Sequence, residues 1–196
     1  MTRTLIIDTS GPACSVALAD DGVLIAHHHA VIDRGHAERL LPAIAALAGG
    51  GRADHIRVGC GPGSFTGVRV GISAARALAY GWGVPVDGFN SLGLIARQCG
   101  AACLVVVEGG HGEYFVQPFA ADGTEAGALA ALRPDDAATR FDQPVVAGNR
   151  AADFVARRGY GTAHNLLCDA RAALIGAAAA SIAPSPTYGR APDAAP

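Results

Sequence analysis

Three short apolar segments joined by very short turns open the chain, and they restrict the fold more than any other feature. The segments are residues 5–9, 14–19 and 23–29. Gly11-Pro12 separates the first two and Asp20-Asp21-Gly22 the next two, and both have the composition of turns. Parallel strands need a crossover of about a dozen residues or more, so this spacing predicts an antiparallel meander.

Strand-like and helix-like patterns follow the meander. Leu40, Ile44 and Leu47 predict a helix that contains Pro42 and stops at Gly49-Gly50-Gly51. The later runs are strands at 56–60, 84–88, 104–107, 114–119 and 144–147, and helices at 68–80, 92–99, 149–158 and 169–182. Strand–helix–strand units after a meander predict an α/β fold, a mixed sheet with helices packed on it.

A glycine-rich segment, residues 61–71 (Gly-Pro-Gly-Ser-Phe-Thr-Gly-Val-Arg-Val-Gly), leads from a strand into a helix. Backbone N–H groups at such a helix start can bind an anion. The acid and hydroxyls that end the first strand suit a phosphate or Mg²⁺. The segment matches neither the Rossmann nor the Walker pattern, so a structural elbow with turn-capping side chains is the alternative. The candidate nucleotide or phosphate loop comprises Asp8, Thr9, Ser10, Gly61, Gly63, Ser64, Thr66 and Gly67.

The two predicted helices near residues 36–48 and 67–80 are apolar around most of their circumference. A helix of this kind must be covered on more than one side. A protein–protein interface is our preferred interpretation, and mutual packing within the monomer is the alternative. The predicted partner interface comprises Leu40, Leu41, Ile44, Leu47, Val68, Ile72, Ala75 and Ala79.

Composition excludes several classes of function. The 196 residues are 51% hydrophobic, enough for the core of one domain or two small ones. The net charge of −2 does not favour a stand-alone nucleic-acid-binding protein. All fifteen basic residues are Arg, which removes the Walker, Schiff-base and kinase lysines.

The sequence also predicts where the protein works. The apolar run before Asp8 is too short for a secretory signal, and the Ala-rich run at 172–183 is too short for a membrane helix. The five cysteines form no C-x-x-C pair, so free thiols in a reducing compartment are expected. We therefore expect a cytoplasmic protein without membrane association.

Neither a metal site nor a catalytic set is predicted. In a strand, His27 and His29 share a face while His28 points away, and no third ligand is near them in sequence. Ser64 does not lie in a Gly-x-Ser-x-Gly pattern because residue 66 is Thr. No Ser–His–Asp or Cys–His set can be assembled from the sequence.

Four segments occur in an order and spacing that resemble the bacterial TsaB (YeaZ) family. They are residues 5–10, 14–18, 36–42 and the glycine-rich block 61–71. The likeness is dense over about the first 100 residues and weaker afterwards. Tyr188-Gly189-Arg190 also resembles the closing Tyr-x-Arg of that family.

The resemblance implies an actin/sugar-kinase-like (ASKHA) fold. Such a fold has two related lobes, each with a mixed sheet and packed helices, and the second lobe is the smaller. We expect residues 1–100 to form the N-terminal lobe with the dimerisation helices. Residues 101–196 are then the smaller C-terminal lobe and tail.

The resemblance also implies a function, that of a non-catalytic assembly subunit for the threonylcarbamoyladenosine modification of tRNA. It would pair with the catalytic TsaD paralogue and the ATPase TsaE through the two N-terminal helices, and form a homodimer alone. ATP and metal are expected on the partner subunits, with no cofactor of its own and tRNA reached through the complex. The alternative is an ATP-dependent phosphotransferase or a metallopeptidase-like enzyme of the same superfamily.

One segment departs from the family. Relatives show an Asp-Ala-Arg-x-x-Glu-x-Tyr pattern where this chain has Glu108-Gly109-Gly110-His111-Gly112-Glu113-Tyr114. Glu113 and Tyr114 are kept, but Gly110 takes the place of the arginine. A contact made through that arginine is therefore not expected in this chain.

Overall fold

The computed structural model describes residues 1–176, 180–187 and 189. Its first sheet has the strand order β3-β2-β1-β4-β5. The strands are β1 (Arg3–Asp8), β2 (Ala13–Asp20), β3 (Val23–Val31), β4 (His55–Gly59) and β5 (Val86–Phe89). β1, β2 and β3 pair antiparallel, which confirms the predicted meander, and β4 and β5 add parallel strands.

Two helices cover one face of this sheet, α1 (His36–Ala45) and α2 (Phe65–Trp82). Ser64 caps α2 by accepting a hydrogen bond from the Gly67 N–H, and Gly83 ends the helix with a φ of 70°. Both helices pack on Leu5, Ile7 and their neighbours in the first hydrophobic core. A 3₁₀ turn at Ala48–Gly51 follows α1.

A second sheet repeats the topology of the first, in the strand order β10-β9-β6-β7-β8. Its strands are β6 (Cys103–Glu108), β7 (Tyr114–Phe119), β8 (Ala130–Leu132), β9 (Val145–Ala147) and β10 (Thr162–His164). β6, β7 and β8 pair antiparallel, and β9 and β10 are parallel to β6 and to each other. The predicted two-lobed α/β architecture, with a mixed sheet in each lobe, is confirmed.

Helices complete a layered arrangement. Helix α3 (Leu92–Cys99) lies between the two sheets and shares a core with Ile6 of β1 and Phe115 of β7. Helices α4 (Pro134–Arg140) and α5 (Ala151–Arg158) cover the far face of the second sheet. The position of α3 makes the two lobes share one hydrophobic core.

The predicted helix at 169–182 is wrong for the residues that the structure describes. The segment forms a 3₁₀ turn at Ala170–Leu174, and Ile182 pairs with Gly88 as an isolated bridge. The Asp169 carboxylate accepts a hydrogen bond from the Arg171 N–H, and Ser15 Oγ accepts one from the Ala170 N–H. These side-chain bonds, together with confinement between the sheets, outweigh the helix propensity of alanine.

The predicted lobe boundary at residue 100 stays a prediction, although the two sheets lie on either side of it. Residues 182–187 return to the first lobe, where the Thr187 N–H bonds the Cys60 carbonyl oxygen. Tyr188 and Arg190 of the Tyr-x-Arg motif lie outside the described residues. Among the residues described, every helix is too short or too polar to cross a membrane.

Candidate functional site

A cleft of about 980 Å³ lies between the two lobes. On the first-lobe side it is lined by the β1–β2 turn, the loop before α1 and the glycine-rich elbow that leads into α2. On the second-lobe side it is lined by the glycine-rich loop after β6 and by Asn149. A concave site of this size, formed by loops from two lobes, is the usual position of a small-molecule site.

The strand end predicted to hold a phosphate is buried behind the cleft wall. The Asp8 carboxylate is fully buried, and its Oδ1 accepts hydrogen bonds from the Ser10 N–H (2.9 Å) and hydroxyl (2.8 Å). The Thr9 hydroxyl donates to the Gly67 carbonyl oxygen at 2.7 Å. Burial raises the pKa of Asp8, and hydrogen bonds from the Ser91 side chain and from Ser10 offset this in part. These side chains serve the turn and the elbow.

Glycines in the elbow make room for this strand end. A Cβ at Gly63 would overlap the Ser10 carbonyl oxygen, and a Cβ at Gly67 would overlap that of Thr9. A Cβ at Gly59 would meet the Asp8 carboxylate. Gly61 has a φ of 86°, the left-handed conformation that favours glycine. The close approach of two backbone segments accounts for Gly63 and Gly67, whereas the Asp8 side chain accounts for Gly59.

The predicted phosphate-loop residues therefore separate into three groups. Ser10, Gly63 and Ser64 line the cleft. Asp8, Thr9, Gly61 and Gly67 are buried outside its lining, and Thr66 is exposed on the first turn of α2. Nucleotide binding at this loop stays a prediction.

Phe65 and Arg69 form an additional feature of the first-lobe wall. Both line the cleft, and the Arg69 guanidinium lies 3.3 Å from the centroid of the Phe65 ring. Arg69 Nη1 also donates to the Phe65 carbonyl oxygen at 2.9 Å. The i, i+4 spacing of an aromatic residue and an arginine could have predicted this pair from the sequence.

The second-lobe wall contains the segment that departs from the family pattern. Glu108 pairs with Arg150 at 2.9 Å, and its N–H bonds Asn149 Oδ1 at 3.0 Å. Gly109–Gly112 present mostly backbone to the cleft. Tyr114 is absent from the cleft lining and donates a hydrogen bond to Asp153 on α5, and burial raises the pKa of its hydroxyl. The retained tyrosine thus joins β7 to α5.

The predicted partner-interface residues require a correction. The structure buries Leu40, Ile44, Leu47, Val68, Ile72, Ala75 and Ala79 in the chain's own core, against the first sheet and one another. Leu41 alone among the eight is exposed, at 50%. The apolar residues identified from the sequence lie on the side of each helix that packs on the sheet. An interface on these helices stays a prediction, but it must use other side chains.

The outer sides of α1 and α2 do present a surface. We call Ala37, Leu41 and Ala45 of α1, with Ser73, Ala77 and Tyr80 of α2, the outer helix surface; all six are exposed. Their spacings of three and four place them on one side of each helix. Tyr80 is 92% exposed, and none of the six is charged. The two helices contact each other, and both pack on the first sheet.

The cysteine and histidine side chains lie at several separate places in the fold, with Cys99 beside Cys103. Burial raises the pKa of Cys14 to about 11 and that of Cys103 to about 12. His29 Nδ1 lies 3.2 Å from Ser15 Oγ and 3.8 Å from Asp169 Oδ2. Within the described ranges, no three His, Cys, Asp or Glu side chains come together as metal ligands do.

Comparisons with known proteins agree with the resemblance. The family model described as TsaD, tRNA N6-adenosine threonylcarbamoyltransferase, matches residues 28–177. The tRNA threonylcarbamoyladenosine biosynthesis protein TsaB of Escherichia coli is 36% identical over 157 residues, which covers 72% of this chain and 67% of the relative. Among solved structures, YeaZ from Pseudomonas aeruginosa is 31% identical with a TM-score of 0.77 and 89% of each chain covered.

An uncharacterized protein of Mycobacterium tuberculosis is 38% identical over 122 residues, which cover 59% of this chain. The match spans 58% of that relative's length. The sequence likeness is thus strongest over part of each protein, whereas the structural likeness to YeaZ covers nearly the whole chain.

Proposed function

Because the chain belongs to the TsaB/YeaZ family, we propose that it is an assembly subunit for the threonylcarbamoyladenosine modification of tRNA. In this role it binds a TsaD-type catalytic protein and, with it, a TsaE-type ATPase. It forms a homodimer when the partner is absent. It works in the cytoplasm and reaches tRNA through the complex.

The outer helix surface is the observation that carries the proposal. Ala37, Ala45, Ser73 and Ala77 have short side chains, which let a second pair of helices approach closely. Leu41 and Tyr80 supply an exposed aliphatic and an exposed aromatic group, and aromatic residues are enriched among those that dominate binding. Two exposed charged residues lie on the same sides of the helices: Arg76 is four residues before Tyr80, and Glu38 is three residues before Leu41.

The placement of Asp8 and Thr9 supports a role without catalysis by this chain. A general base or a metal ligand has to reach the reacting group, directly or through one water. Asp8 is fully buried with Oδ1 bonded to Ser10, and the Thr9 hydroxyl is bonded to Gly67. In this account ATP and metal act on the partner subunits.

Depletion of the chain in its native host tests the function. We expect the threonylcarbamoyladenosine content of tRNA to fall, and to be restored by the wild-type chain and by an Ala156→Arg variant of the exposed face of α5. An Ala77→Arg variant on the outer helix surface should fail to restore it. Full restoration by Ala77→Arg would contradict the proposed surface. An unchanged threonylcarbamoyladenosine content of tRNA after depletion would contradict the function.

A further inference from the structure

We infer that the free edge of β3 binds an extended, acidic segment of a partner protein as an added β-strand, and that one apolar side chain of this segment enters a pocket between β3 and α1. β3 is the last strand on its side of the first sheet, and among the described residues only β2 pairs with it. Its nine residues exceed the usual strand length of about five or six. Strand addition to such an edge is a recurring mode of peptide recognition.

The edge of β3 lacks the residues that usually prevent pairing with another chain. Pro, Lys, Arg, Asp and Glu are all absent from the strand. The register with β2 shifts once, near Ala19, and residues 26–31 are then paired without interruption. The exposed side chains of the strand include four large aliphatic ones, Val23, Leu24, Ile25 and Val31. A long and apolar edge of this kind is prone to pair with a further strand.

The hydrogen bonds of the meander show which backbone groups of β3 point outward. The Ile32 N–H bonds the Pro12 carbonyl oxygen at 2.9 Å, so this position exchanges hydrogen bonds with the β2 side. In an antiparallel pair such positions alternate with positions that do not exchange hydrogen bonds. The N–H and C=O groups of His27, His29 and Val31 therefore point away from β2, and no described residue bonds them. They are available to an added strand.

A pocket of about 280 Å³ lies between β3 and α1. Ala30 and Ile32 line it from the strand and the residue after it, and Pro42, Ala43 and Ala46 line it from α1 and its C-terminal end. The volume lies just below that of ordinary small-molecule sites, about 300–1,000 Å³, and suits a single side chain. Because side chains alternate between the two faces of a sheet, every second side chain of an added strand points to the face that bears this pocket. The edge thus offers backbone bonds, and the pocket offers a place for an apolar side chain.

The charge of the pocket lining favours an acidic segment. Arg39 is exposed and is the one charged residue of the lining, which includes no carboxylate. It takes part in none of the ion pairs among the described residues. A guanidinium matches the geometry of a carboxylate, and the imidazole of His28, which also lines the pocket, can donate a hydrogen bond to one. We therefore expect Asp or Glu beside the apolar side chain of the added strand.

This site is separate from the outer helix surface and from the cleft between the lobes. None of the residues that line the pocket belongs to the outer helix surface, and none lines the cleft. Strand addition at β3 is therefore independent of the proposed assembly role, and either can fail alone.

Fluorescence anisotropy with labelled synthetic peptides tests the inference on the full chain. The probe TTETLTETT has a leucine for the pocket, a glutamate on each side of it on the same face of the strand, and threonines that favour an extended backbone. We expect TTETATETT, without the leucine side chain, and TTKTLTKTT, with the charge reversed, to bind at least tenfold more weakly. Equal affinity for the three peptides, or no binding of TTETLTETT at millimolar concentration, would overturn the inference.

Methylation of peptide nitrogens tests the backbone bonds without altering the protein. With the leucine on the pocket face, its own N–H points away from β3, and the N–H groups of the two neighbouring threonines point toward it. Methylating these two threonine nitrogens should weaken binding at least tenfold, whereas methylating the leucine and one glutamate nitrogen should not. The reverse order, or equal effects, would contradict strand addition.

Variants of β3 locate the peptide. His27→Pro removes an outward N–H, and proline is tolerated where the N–H of an edge strand faces solvent. It should weaken TTETLTETT at least tenfold, whereas His27→Val, which keeps the N–H, should not. Ala30→Leu fills the pocket and should weaken TTETLTETT at least tenfold with little effect on TTETATETT. Wild-type affinity in both His27→Pro and Ala30→Leu, with thermal unfolding unchanged, would contradict the assignment.

A second copy of this chain is the other possible occupant of the edge. Light scattering of the Ala77→Arg variant, with and without His27→Pro, distinguishes it from a partner segment. We expect a monomer in both cases. A dimer of Ala77→Arg that His27→Pro converts to a monomer would assign the edge to self-association and overturn the inference.

Discussion

The Thr9 hydroxyl donates a 2.7 Å hydrogen bond to the carbonyl oxygen of Gly67, and this bond joins the end of β1 to the first turn of α2. The same approach places the Thr9 carbonyl oxygen where a Cβ on Gly67 would lie. The glycine-rich segment 61–71, the most recognisable motif of the sequence, therefore allows the end of β1 to pack closely against the start of α2. It fixes the start of the helix that bears half of the outer helix surface.

Replacing Gly67 by Ala should therefore destabilise the protein. The added methyl group overlaps the Thr9 carbonyl oxygen, so β1 or α2 must shift. Overpacking of this kind costs about 1–3 kcal/mol in the free energy of unfolding. Gly81→Ala in the same helix has open space around its Cβ and should be neutral or stabilising by up to about 1 kcal/mol. Urea denaturation measures both, and equal stabilities for the two variants would refute the packing argument.

Asp8 should make the fold less stable as pH rises. Burial raises its pKa in the folded state, so the native protein holds this proton more tightly than the unfolded chain does. The stability that this proton provides is present at low pH and is lost as the pH rises through the folded-state pKa. Asp8→Asn removes this dependence, so the stability of the variant relative to wild type should increase as the pH rises from below the ordinary aspartate pKa, near 4, to pH 8. Asp142→Asn, at an exposed site, is the control. If the free energy of unfolding changed with pH in parallel for Asp8→Asn and wild type, this account of Asp8 would be contradicted.

Asp169 should show the opposite pH dependence. Burial alone raises its pKa, but the hydrogen bonds from the Arg171 guanidinium and backbone N–H outweigh burial and hold the pKa below its ordinary value. Its contribution is present above the unfolded-state pKa, near 4, and is lost as the pH falls through the lower folded-state value. Asp169→Asn should cost about 1–2 kcal/mol at pH 7 and less at pH 3, because the charge-assisted bonds are lost. A cost that does not change with pH would contradict this account.

The hydrogen bond between Tyr114 and Asp153 of α5 predicts a local effect of mutation on stability. The Tyr114 hydroxyl donates to Asp153, which is also bonded by Arg157. Tyr114→Phe removes the hydrogen bond of a buried residue and leaves the exposed Asp153 with Arg157, and it should lower the free energy of unfolding by about 1 kcal/mol. Hydrogen exchange should accelerate in α5 more than in the first sheet. A uniform change across both lobes would show that the bond does not act locally.

The elements with clear sequence signals for their ends or their composition were predicted accurately from the sequence. The strand at 114–119 and the helix at 92–99 match to the residue, since Gly100 ends the helix and most residues of the strand are aromatic or β-branched. The Ala-rich segment after Asp169 failed because its backbone bonds Ser15, which is 155 residues away in the chain. Local propensity contains no information about such a bond.

The functional surfaces were harder to predict for a related reason. Periodicity identified which residues of α1 and α2 are apolar, but not that the sheet already covers Leu40, Ile44 and Ile72. Apart from the glycine-rich elbow, the walls of the cleft come from loops without a motif, including the loops of Arg34 and His111, which belong to different lobes. The order of strands across the lobes decides these contacts, and it became visible only in the structure.

The outer helix surface is tested most directly by the mass of the complex in solution. Size-exclusion chromatography with light scattering is applied to the chain alone and to its mixture with the TsaD-type protein, for wild type, Ala77→Arg and Ala156→Arg. For wild type and Ala156→Arg we expect a homodimer of the chain alone and a heterodimer in the mixture. For Ala77→Arg we expect this chain to be monomeric in both samples, unbound to the TsaD-type protein, with an unchanged melting temperature. Wild-type masses for a folded Ala77→Arg variant would contradict the account.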